Sequence, residues 1–110
     1  MNVYEDTLNI LLTRGRRQFK MTNTRGQTCL VGALNLAKGI NYDYMFNHET
    51  DFYRDIPETD KLAKIIKEQF SDSPYLNKST DKSHQVCYDF NDGHSDEDIM
   101  LILEKAAADE

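Results

Sequence analysis

The run Cys29-Leu30-Val31-Gly32-Ala33-Leu34-Asn35-Leu36-Ala37 is apolar almost all round. A helix with no polar face has to lie inside the protein, with other elements wrapped around it. Gly32 and Ala33 carry little bulk, so this segment predicts a central helix that a second backbone approaches closely. Thr28 is placed to cap it, and Gly39 to close it.

The flanking segments supply what would wrap it. Asn2 to Thr13 carries Val3, Leu8, Ile10, Leu11 and Leu12 as an apolar stripe, with Glu5 and Asp6 in the first turn and Arg14-Gly15 at the end. Ile56-Pro57 opens a second amphipathic helix through Leu62, Ile65, Ile66 and Phe70, and Ser95-Asp96-Glu97-Asp98 opens a third that runs to Ala107. Arg16 to Asn23 and Ser83 to Phe90 both alternate weakly, which predicts two short extended pieces able to pair as a hairpin. Turns are expected at Thr24-Arg25-Gly26-Gln27 and at Asn91-Asp92-Gly93. The expectation is therefore a mainly α fold, α+β at most. It would be a compact bundle of about four helices with a possible short two-stranded hairpin, and a single domain over residues 1–110.

The 110 residues suffice for one modest core, with 39% of them hydrophobic and only two prolines and five glycines. No apolar run nears the roughly 18 residues a membrane span needs. Met1 to Asp6 has no basic start of a secretory signal, so a cytoplasmic protein with two reduced thiols, Cys29 and Cys87, is expected. The glycosylation-type triplet Asn77-Lys78-Ser79 then has no role.

Charge is distributed unevenly. Residues 1–41 hold two acids and six bases, whereas residues 42–110 hold 17 acids and seven bases. Arg14, Arg16, Arg17, Lys20 and Arg25 around Phe19 make a small basic patch. The net charge of −6 nevertheless argues against a nucleic-acid binder, for which the phosphate backbone demands a basic surface.

Three segments together resemble an uncharacterised family of small bacterial and bacteriophage proteins. These are the first helix ending at Arg14-Gly15, the turn and helix from Gly26 through Cys29 and Gly32 to Ala37, and the closing Phe90-Asn91-Asp92 before the last helix. In that family a Gly-x-x-Cys-Leu-x-Gly-Ala-Leu segment is followed later by a Trp-Asn-Asp turn. Phe90 stands here in place of the Trp. The resemblance implies a compact helical fold with Gly26, Cys29, Gly32, Asn91 and Asp92 as its structural motif, and a bacterial or phage origin. It implies no activity.

Two functional classes are open. A binding protein would use the aromatic and acidic stretch Tyr42, Tyr44, Phe46, Asp51, Phe52, Tyr53 and Asp55, together with Tyr75, because aromatic residues among charges favour interfaces. Its partner would be a host or phage protein, with a homo-oligomer as a further option, no cofactor and no metal. A small cysteine-dependent enzyme or ligand pocket would instead use Cys29 with Asp92 and His94, since a thiol at a helix N-terminus is acidified by the dipole. Against this stands the plain expectation that Cys29 packs as a small buried side chain. His84 and Cys87 with Cys29, Asp92 and His94 offer zinc-type ligands but no second close pair. For Asp92, capping of the Cys29 helix is the expected structural role.

Overall fold

The computed structural model describes residues 2–23, 25–76 and 80–109. Thr24 of the expected turn and the triplet at 77–79 lie outside these.

The first helix, α1 (Val3–Arg14), begins where Asn2 accepts the backbone N–H groups of Tyr4 and Glu5, and it ends at Gly15 with φ of 87°. Tyr4, Thr7 and Leu11 form its buried face. The central helix is α2 (Leu30–Ala37), with Leu30 through Asn35 all buried. Cys29, not Thr28, is its N-cap, the thiol accepting the N–H of Gly32 at 3.4 Å. Removing Leu30, Val31 and Leu34 from water contributes about 1.5–3 kcal/mol each. A Cβ on Gly32 would lie 1.9 Å from Thr28 Oγ1 and 3.0 Å from the Met21 carbonyl oxygen, so the close approach read from the sequence is real.

A short helix, α3 (Tyr42–Asn47), capped by Asn41, and a 3-10 turn (Glu49–Phe52) follow. Next come α4 (Pro57–Gln69), with its proline in the first turn, α5 (Ser83–Gly93), and α6 (Asp96–Ala108), capped by Ser95. Helix α1 packs on α2 and α6, α6 on α4, α4 on α5, and α5 back on α2. These contacts close a ring around one core, which holds Met21, Leu34, Met45, Leu62, Ile66, Phe90, Ile102 and Leu103.

The fold is mainly helical, with six helices rather than about four and no strand among the described residues. Ser83 to Phe90 is helical where an extended run was expected, and Asn91-Asp92-Gly93 is its last turn rather than a separate one. The expected hairpin with residues 17–23 is therefore absent. In its place, Thr28 makes two isolated bridges, parallel to Arg16 and antiparallel to Thr22. The segment from Gly15 to Cys29 thus leaves α1, loops outward past Phe19 and returns beside its own start. No helix among the described residues is long and apolar enough to cross a membrane.

Candidate functional site

Helix α5 ends in a polar junction that ties three parts of the chain together. Asn91 is fully buried there. Its Oδ1 accepts the N–H of Leu30 at 3.1 Å, and its Nδ2 donates to the Arg17 carbonyl at 2.9 Å. The Leu30 amide is one of the donors that a helix start leaves without an intrahelical partner. Arg16 donates to the carbonyls of Asn91 and His94, the second at 2.8 Å, and its Nε pairs with Asp96 at 2.6 Å. Gln18 donates to the Asp92 carbonyl at 3.0 Å. A guanidinium on these last carbonyls complements the negative end of the α5 dipole.

Capping of α2 from this junction was expected of Asp92, and it is Asn91 that performs it. Asp92 instead accepts the backbone N–H of Phe19 at 2.6 Å. That bond holds Phe19 at φ of 70°, which no other non-glycine residue among those described adopts on the positive side. The Phe19 ring is 76% exposed. In the sequence Phe19 stands out only as the aromatic within the basic patch, because its left-handed backbone depends on a carboxylate 73 positions away.

Cys29 is sealed in the core. Burial pushes its thiol up to about 11, outweighing the hydrogen bond from the Gly32 N–H, which acts the other way. The cysteine-centred reading required an acidified thiol at an open cleft, and this site has neither. Cys87 is equally buried, its thiol raised by desolvation first and by the Cys29 charge next, and its Sγ lies 3.8 Å from the Thr59 carbonyl. The hydroxyl of Tyr88 lies between Cys29 and Tyr53 without a well-formed hydrogen bond, and burial pushes its ionisation far up.

The residues of zinc-ligand type, His84, Cys87, Cys29, Asp92 and His94, are each engaged separately. His84 Nδ1 meets Asp55 at 2.6 Å, the same carboxylate accepts the His84 backbone N–H, and these bonds hold Asp55 below the usual carboxylate range. No group of three His, Cys, Asp or Glu able to hold a metal occurs among the described residues.

His94 does make a constellation, with partners the sequence did not suggest. Its Nδ1 lies 2.8 Å from Asp98 Oδ2, and its Nε2 lies 2.7 Å from Ser73 Oγ. The ring stacks on Phe90 with centroids 4.2 Å apart, and Phe70 and Tyr75 meet it edge-on at 5.2 and 5.7 Å. Tyr75 also rests on Gly93, where a Cβ would fall 2.1 Å from the tyrosine ring.

The aromatic and acidic stretch divides in two. Phe52 is buried, the Tyr42 hydroxyl bonds the carbonyls of Asn23 and Gln27, and Asp55 is committed to the start of α5, so these three serve the fold. Tyr44, Phe46, Asp51 and Tyr53 stay exposed, with Tyr44 stacked on His48 at 4.2 Å. An apolar cleft of about 210 Å³ between α1 and α6, bounded by Leu8, Leu12, Met100 and the Arg16–Asp96 pair, is lined by none of these aromatic residues.

The chain matches no curated protein and no solved structure. Residues 1–109 do match the model of a family of unknown function (DUF6197), and the chain belongs to that family.

Proposed function

We propose that this is a small accessory protein of a bacteriophage or bacterium that acts in the host cytoplasm by binding a host protein, with a component of host defence as the target class. The observation that carries this reading is Phe19. A left-handed backbone costs a residue with a Cβ about 1–2 kcal/mol, and this ring recovers little of that by burial. Glycine or asparagine would suit the turn better, so an aromatic side chain at this point serves contact with something outside the chain. Arg17 and Lys20 flank it, and Tyr75 stands beside the same helix end, on Gly93. Tyr44, Phe46 and Tyr53 supply a second exposed aromatic group. Such residues dominate binding energies at protein interfaces.

The test is a pull-down with the tagged protein from bacterial host lysate, with nuclease added, read by mass spectrometry beside Phe19→Ala and Tyr44→Ala. The reading expects a stoichiometric protein partner that survives nuclease and is lost from at least one variant of unchanged melting temperature. A partner retained by both variants, or none above background, overturns it.

A further inference from the structure

We propose that Ser73, His94 and Asp98 form an acyl-transfer centre acting on small carboxylic esters, with Ser73 as nucleophile, His94 as base and Asp98 orienting the imidazole. An ionised carboxylate only accepts hydrogen bonds, so Nδ1 of His94 carries the ring proton toward Asp98 at 2.8 Å. Nε2 is then the acceptor, and the Ser73 hydroxyl proton points at it across 2.7 Å. Nucleophile to base and base to orienting carboxylate are the two contacts that define such a relay, independent of fold or residue order. The imidazole is held in one plane by Phe90 beneath it and by Phe70 and Tyr75 at its edges. Ser95 fixes the start of α6 by accepting the Asp98 N–H, which sets the carboxylate one helical turn from the histidine.

Ser73 retains 8% exposure, and Tyr75, 57% exposed and resting on Gly93, stands between this group and solvent. The Tyr75 ring supplies a flat apolar face for the acyl or alcohol part of an ester. The Tyr75 backbone N–H donates to Ser73 Oγ at 3.3 Å, which leaves the hydroxyl proton free to point at His94.

The chemistry balances without a cofactor. Ser73 Oγ bonds to the ester carbon while its proton passes to His94 Nε2. The carbon–oxygen bond to the leaving alkoxide breaks, and the alkoxide takes that proton. Water, deprotonated by His94, then attacks the acyl-serine, the bond to Oγ breaks, and Ser73 regains its proton.

The experiment incubates the intact protein with a fluorophosphonate probe, maps the adduct by mass spectrometry, and follows 4-nitrophenyl acetate hydrolysis in parallel. The expected result is one adduct per chain on Ser73, absent from Ser73→Ala. Asp98→Asn, an isosteric change on a partly exposed side chain, should slow labelling and hydrolysis by about ten-fold or more with the melting temperature held. Tyr75→Ala should speed labelling by opening the approach. No adduct on the folded protein, an adduct elsewhere, or labelling indifferent to Asp98→Asn overturns the proposal.

Discussion

The side-chain oxygen of Asn91, in the last turn of α5, accepts the backbone N–H of Leu30, the first residue of α2, at 3.1 Å. One buried carboxamide thereby joins the end of one helix to the start of another, and its amide group reaches on to the Arg17 carbonyl. Asn91→Ala strands a buried donor and a buried acceptor, each costing about 1–3 kcal/mol. We expect a loss of about 2–4 kcal/mol in urea unfolding, with Asn91→Asp little better because a carboxylate cannot donate to Arg17. A loss below the error of the unfolding curve would show that the junction contributes nothing net.

Two glycines should respond differently to the same substitution. Gly32→Ala drives a methyl into Thr28 and the Met21 backbone inside the core. It should cost about 3 kcal/mol or prevent folding. Gly93→Ala meets only the ring of the exposed Tyr75, which can swing into solvent. That variant should fold with a loss nearer about 1 kcal/mol, and its Tyr75 should be more readily iodinated. Equal losses from the two variants would contradict the packing described.

Phe19→Gly relieves the positive φ, and even after the greater chain entropy of glycine it should raise stability by up to about 1 kcal/mol. Phe19→Ala removes the ring but keeps the strain, so it should leave the melting temperature nearly unchanged. The comparison needs only thermal melts, and a destabilised glycine variant would mean that the ring contributes to the fold.

The thiols set the alkaline limit. The Cys29 pKa is raised in the folded state from an ordinary value of 9.0 to about 11. Stability from the un-ionised thiol is therefore whole below pH 9.0 and declines as the pH climbs toward 11, because the unfolded chain ionises first. Cys87 and Tyr88 are displaced in the same direction. Urea midpoints should fall across this window. Cys29→Ser, which installs a preferred cap, should keep the fold within about 1 kcal/mol and make the decline shallower. At neutral pH neither thiol should react with a disulfide reagent until denaturant is added.

The helices starting near Asn2, Thr28, Ile56 and Ser95 were legible because each has an apolar period and a starting residue with a mechanism. Helix α5 was not. Its buried residues are Ser83, Val86, Cys87, Tyr88, Phe90 and Asn91. Ser83 and Asn91 are polar and drop out of an apolar pattern, and the alternation of Val86, Tyr88 and Phe90 that remains beside Cys87 imitates a strand. The importance of Asn91 and Asp92 was visible, but the cap on α2 was expected of Asp92 and comes from Asn91, since which side chain reaches α2 depends on the helical phase. His94 was singled out with the wrong partners. The available signal was its spacing of four from Asp98 across the Ser95 cap; Ser73, arriving from another loop, left none.

The excursion from Gly15 to Cys29 is fastened on both sides of its tip. Before Lys20, Arg16, Arg17, Gln18 and Phe19 are bonded to the end of α5, and after it Cys29 donates to Met21 and Thr22 donates to Glu49. The peptide bond following Lys20 consequently carries no tension of the fold. A chain cut there is expected to keep the first helix and its tail seated as a separate peptide, held by these bonds and by the packing of α1 on α2 and α6. In that sense the protein is a two-part assembly that happens to be covalently continuous.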